Sequence, residues 1–184
     1  SCGMSNNRSI IAISGKSGCG NTTVSSLVAQ ELGFTMVNYT FRSLAEDLGI
    51  SFEALARLAQ EDDRYDRMLD ERQVAMARSG SCVLGSRLAI WLVPDADLTV
   101  YLDASEETRA ARIMKREGSD LKKKLEETRM RDQRDSERYL RIYGIDTSDY
   151  RWADLVIDTD TCDQFEAAAH IVTAYRGLVA GTFT

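Results

Sequence analysis

The sequence predicts an α/β fold with a parallel sheet. Five short strand-like apolar runs, at 10–14, 35–38, 81–84, 97–102 and 154–158, alternate with stretches of helical periodicity. The first run, Ile10 to Ile13, meets a turn holding Gly15, Gly18 and Gly20, and a helical pattern of Val24, Leu27 and Val28 follows at once. Strand, glycine-rich turn and helix in that order form the repeating unit of a sheet whose strands all run one way.

The turn reads Gly15-Lys16-Ser17-Gly18-Cys19-Gly20-Asn21-Thr22. This is the spacing of the phosphate-binding loop G-x-x-x-x-G-K-[ST], with Asn21 at the lysine position. Glycines let the backbone curl so that successive N–H groups point inward, and the following helix adds the positive end of its dipole. Gly15, Ser17, Gly18, Cys19, Gly20, Asn21, Thr22 and Thr23 are therefore expected around a nucleotide's phosphates, with the Thr22 hydroxyl on the magnesium side. Lysine normally follows the transferred phosphate with a point charge. Asn21 carries none, and Lys16 is the evident substitute. A lysine there resembles the extra lysine of deviant P-loop ATPases. Cys19 is read as a small residue that the loop tolerates.

Helices are expected over 22–32, 41–48, 52–60, 65–78, 105–117, 121–143 and 164–179. In a parallel sheet ligands collect beyond the carboxyl ends of the strands. That rule nominates 38–42, 85–87 and the basic segment after Leu102, and each place holds arginine. Arg42 follows the second strand and Arg87 the third. Arg109, Arg112 and Arg116 share one helical face, as do Arg131, Asp135 and Arg138. Arginine suits phosphate because its planar fork binds in two places and keeps its charge. An aspartate between two arginines orients them and can accept a hydrogen bond from a base amino group.

With 184 residues and a single proline, Pro94, the chain is expected to form one domain over 1–184. Ser1-Cys2-Gly3 before Met4 is set aside as an expression scar. No apolar run approaches the roughly 20 residues of a membrane span, and no signal-peptide core precedes the first strand. The four cysteines are scattered without metal-ligand spacing, as reduced thiols of a cytoplasmic protein would be. His170 is read as structural or exposed. Net charge is −6, yet residues 109–141 carry twelve Lys/Arg against seven Asp/Glu. An acidic chain with one basic segment, and without an aromatic-interleaved basic surface, argues against a nucleic-acid binder and for a held small polyanion.

The residues also carry a resemblance. The chain resembles the short, archaeal-type cytidylate kinases of the P-loop nucleoside monophosphate kinase superfamily over nearly all of 8–180. The marks are F-R-S-L-A with Arg42, D-x-x-L-D-E-R-Q ending at Gln73, S-R-L-A-x-W around Arg87, R-A-x-R in the basic helix, R-D-x-x-D-x-x-R from Arg131 to Arg138, Y-G-I-D at Tyr143–Asp146 and A-D-L-V-I-D-T at 153–159. The resemblance implies a P-loop NTPase three-layer sandwich with a five-stranded parallel sheet, an acceptor-binding helical region near 41–80 and lid helices near 109–141. It implies ATP as phosphoryl donor with Mg²⁺, CMP or dCMP as acceptor, and a monomer with neither nucleic-acid nor membrane partners. Arg42, Arg87, Arg131, Asp135 and Arg138 would hold the acceptor. Arg109 would border ATP, while Lys16, Arg112, Arg131 and Arg138 would carry catalysis.

Two residues depart from the pattern. Asn21 replaces the loop lysine, and Gly85 stands where similar sequences carry a carboxylate that helps hold magnesium. They leave open an alternative, a nucleotide-binding pseudokinase with a regulatory or sensing role.

Overall fold

The computed structural model describes residues 8–118 and 120–181; Ser1-Cys2-Gly3 lies outside them. The element order is β1 (Ile10–Gly15), α1 (Asn21–Leu32), β2 (Thr35–Met36), α2 (Phe41–Leu48), α3 (Phe52–Glu61), α4 (Arg64–Ala77), β3 (Cys82–Gly85), α5 (Ala89–Leu92), β4 (Leu98–Asp103), α6 (Glu106–Glu117), α7 (Leu121–Tyr143), β5 (Leu155–Asp158) and α8 (Gln164–Gly181). The five strands form one parallel sheet in the order β2-β3-β1-β4-β5. Every expected strand and helix is present. β2 is shorter than its apolar run, and α5 is additional: four residues are too few to show a helical period.

β1 explains why its sequence is continuously apolar. Its alternate side chains enter two separate cores. Ile11 and Ile13 pack with Val24, Val28 and Ile171 under α1 and α8. Ile10 and Ala12 face Val37, Leu84, Ile90 and Tyr101 on the other side. A third, smaller cluster of Tyr39, Leu44, Ala45 and Leu55 holds the helical region α2–α4 together. That region starts cleanly because Thr40 and Ser43 form a reciprocal capping box, and Ser51 caps α3 through the Ala54 N–H. β1 is the central strand, so the loop after it opens between the two halves of the sheet.

α6 and α7 pack against each other and against the loop. A β-carbon on Gly18, whose φ is +81°, would stand 2.8 Å from the Arg109 carbonyl oxygen. Gly18 thus satisfies both a left-handed turn and a close backbone approach.

Candidate active site

Gly15 to Thr23 line a cavity of roughly 390 Å³ together with Gly85, Ser86, Arg87, Arg116 and Arg131. A second cavity of roughly 430 Å³ adjoins the loop at Gly18, Cys19, Gly20 and Thr23, and runs between Arg112 and the turn after β5. The loop is thus shared by two compartments, one rich in cations and the other more apolar.

Lys16 is exposed at the mouth of the first cavity and makes no ion pair among the described residues. Arg131 leans over from α7 and donates from Nη1 to Ser17 Oγ at 3.1 Å. Arg87 forms an ion pair with Asp135, and Arg138 approaches the other oxygen of that carboxylate at 3.5 Å. Asp135 is 16% exposed and engaged on both oxygens. The series Arg87–Asp135–Arg138 joins the phosphate loop to the helical region α2–α4.

Arg112 donates to the Gly18 carbonyl at 3.2 Å and to the Thr159 carbonyl at 2.8 Å, so it lines the second cavity. Arg42 lies elsewhere. It is exposed at the start of α2, with its guanidinium 4.3 Å above the Phe52 ring, outside the loop cavity.

Arg109 departs from its expected place at the nucleotide. Its side chain is 2% exposed. Both terminal nitrogens donate to Asp132, at 3.1 and 2.9 Å, while Nη1 also reaches the Ser17 carbonyl and Nε the Ala104 carbonyl. A guanidinium so fully engaged has no face left for ATP. Its geometry is that of a buried strut fastening α7 and the loop to α6. Sequence reasoning missed Asp132, although it sits three residues before Asp135 on the same basic helix.

Asn21 lines the cavity with its amide turned onto β1 and α1. Its Nδ2 donates to the Ile13 carbonyl at 2.8 Å, and its Oδ1 accepts from buried Ser25 at 2.7 Å. Thr22 and Thr23 remain exposed at the helix start. Cys19 is 3% exposed, and burial pushes its thiol up despite the cations of Arg112 and Arg109. The loop cysteine is therefore a packed small residue.

The sequence model of the cytidylate kinase-like family matches residues 10–161. The chain belongs to the cytidylate kinase-like family. Within that family it is 46% identical over 160 residues to "Cytidylate kinase 2" of Borreliella afzelii, covering 85% of this chain and 90% of the relative. It is 37% identical over 158 residues to "Cytidylate kinase" of Pyrococcus horikoshii, covering 85% and 82%. Among solved structures it resembles shikimate kinase from Bacteroides thetaiotaomicron, with TM-score 0.62, 13% identity and coverage of 94% and 98%. It also resembles deoxyadenosine kinase from M. mycoides with bound dATP, with TM-score 0.57, 16% identity and coverage of 90% and 98%. Those two likenesses establish the P-loop kinase fold expected for the family. Among the described residues no helix is long and apolar enough to cross a membrane, and no group of three His, Cys, Asp or Glu stands ready to hold a metal.

Proposed function

We propose that the chain is a nucleoside monophosphate kinase that transfers the γ-phosphoryl group of ATP to CMP or dCMP. One observation carries this best: Lys16, Arg87, Arg116 and Arg131 surround a single cavity built on the glycine loop, and Arg87–Asp135–Arg138 links it to the helical region. Phosphoryl transfer is catalysed chiefly by positioning and charge neutralisation. The loop N–H groups and the α1 N-terminus hold the donor phosphates. Lys16 and Arg131 stand over the γ-phosphoryl group as it moves. Arg42, Arg87 and Arg138 hold the acceptor on its other side. Ser86 Oγ, buried at the cavity and without a hydrogen bond, is a further group suited to a phosphate oxygen. The adjoining cavity beside Arg112 takes the adenosine end of ATP.

Magnesium fits as an ion brought with the donor phosphates. The exposed Thr22 hydroxyl would hold it, with phosphate oxygens and water supplying the other ligands. Bound there, it would screen the negative charge between donor and acceptor.

The family match and the relatives named cytidylate kinases give no support to the pseudokinase alternative. A cytoplasmic location and a monomeric state belong to this reading. A coupled ADP-release assay with ATP, Mg²⁺ and each ribo- and deoxyribonucleoside monophosphate tests it. Turnover with CMP or dCMP is expected, and its absence from folded protein would sink the reading.

A further inference from the structure

Among the described residues two buried side-chain polar atoms lack a hydrogen-bond partner, Ser86 Oγ and Arg138 Nε. Arg138 still reaches Asp135 and Tyr139 through Nη2. The only polar atom of the Ser86 side chain meets nothing. A hydroxyl left bare inside a protein costs stability, so its presence calls for a ligand that completes it. The backbone of Ser86 is not loose. Its N–H donates to the Ile13 carbonyl at 3.1 Å, which carries the pairing of β3 with β1 one residue further. Its own carbonyl accepts from the Ala89 N–H at 3.4 Å. Ser86 is therefore fixed on the wall of the loop cavity, between Gly85 and Arg87.

The wall restricts what the ligand presents. Lys16, Arg87, Arg116 and Arg131 line the cavity, and no Asp or Glu is among its lining residues. An oxyanion is what such a cavity draws in, and a serine hydroxyl can donate to it. Gly85 matters here, because a carboxylate at that position would repel an oxyanion brought to the neighbouring hydroxyl. Two phosphate-bearing ligands meet in this cavity. The donor phosphates rest on the glycine loop, which serves them with its N–H groups and with the hydroxyls of Thr22 and Thr23. Ser86 belongs to the other wall. It is next in the chain to Arg87, the arginine that holds the acceptor and is itself braced by Asp135.

Resting on the kinase reading above, we propose that the Ser86 hydroxyl donates a hydrogen bond to a terminal oxygen of the acceptor's phosphate and so orients that phosphate for attack. A phosphate monoester has three terminal oxygens. Arg87 and Ser86 hold two of them and leave the third free. The free oxygen forms the new bond to the γ-phosphorus of ATP as the bond from that phosphorus to the β-phosphate oxygen breaks. Ser86 keeps its proton throughout. Arg87 supplies charge and Ser86 supplies direction, without a further cation to hold the product back. The hydroxyl serves the substrate rather than the fold, and the empty site carries the cost of leaving it bare.

The test pairs binding with stability. Calorimetric titrations with CMP and with ATP, ligand-free thermal melts and the phosphorus NMR resonance of bound CMP are compared for wild type, Ser86→Ala and Ser86→Gly. Ser86→Ala should bind CMP about tenfold more weakly, the scale of one hydrogen bond to a charged group, and bind ATP within about twofold of wild type. Its melting temperature should equal or exceed that of wild type, because an unpartnered buried hydroxyl is gone. The phosphorus resonance of bound CMP should move. Ser86→Gly should lose the same CMP affinity, so the result does not depend on one variant folding well. Unchanged CMP affinity in both variants overturns the proposal. So does an equal loss of ATP affinity, an unmoved phosphorus resonance, or an alanine variant that melts well below wild type, which would make the hydroxyl structural. The coupled kinase assay run in parallel keeps the two readings apart. A protein that binds CMP through Ser86 but transfers no phosphoryl group keeps this inference and loses the kinase reading. One that turns over CMP while both variants bind it normally does the reverse.

Discussion

Asn21 occupies the space that a side chain at Gly85 would need. A β-carbon on Gly85 would fall 2.7 Å from Asn21 Oδ1 and 2.3 Å from Ser25 Oγ, the two atoms that hydrogen-bond to each other. The absent lysine and the absent carboxylate are therefore a single arrangement. With the amide turned inward onto β1, the end of β3 must be glycine. The cavity loses one charge of each sign, and its net charge is unchanged by the pair of replacements.

This coupling is measurable. Gly85→Ala is expected to destabilise the protein by about 1–3 kcal/mol, the usual penalty of overpacking. Ser25→Ala removes the nearer neighbour, so the double variant should be more stable than the two single changes predict, by at least about 0.5 kcal/mol. Denaturant melts of the four proteins settle it; strict additivity would show that the backbone relaxes around the new methyl group.

Lys16 is exposed and makes no ion pair among the described residues, so its role is separable from folding. Lys16→Met should lower kcat by about 10²–10³, the cost of one transition-state charge. Its melting temperature should stay within a degree or two of wild type. A full kcat in Lys16→Met would move the catalytic charge to Arg131 and Arg116.

Arg109 and Asp132 should behave as a structural pair. Asp132→Ala strands a guanidinium that is 2% exposed, and breaking such a pair costs about 3–5 kcal/mol. A large drop in melting temperature is the expected result. A variant of normal stability with a raised KM for ATP would instead restore Arg109 to the nucleotide.

Asp70 gives a pH signature. It accepts a hydrogen bond from Tyr143, but burial dominates and raises its carboxyl to about 6. The folded protein then holds this proton more tightly than the unfolded chain does, so the group lowers stability as pH rises from about 4 to about 6. Above that window the penalty is complete, on the order of 3 kcal/mol. Asp70→Asn should therefore gain stability relative to wild type at pH 7 and show no gain near pH 3.5. Parallel stability curves for the two proteins across that range would remove Asp70 as the titrating group.

Much of this was readable in advance because it depends on local spacing. The run Ile10 to Ile13, the glycine spacing and the hydroxyls at 22 and 23 specify strand, loop and helix without distant partners. The arginines after strand ends follow from parallel topology alone. The remainder depends on pairs far apart in sequence. Nothing in a linear reading connects Asn21 to Gly85, or tells that Arg109 turns toward Asp132 while Arg112, on the same helix, turns toward Thr159.

The Arg109–Asp132 strut also makes α7 an anchor for both sides of the site. Lifting α7 off the loop would open a sealed ion pair and break the exposed Arg131–Ser17 contact. On the opposite flank α4 meets the end of α7 through the exposed Arg141–Asp63 pair and, further in, through the Tyr143–Asp70 hydrogen bond and the donation of Arg67 to the Ile142 carbonyl. α7 is the common post to which both the glycine loop and the helix of residues 64–77 are fastened.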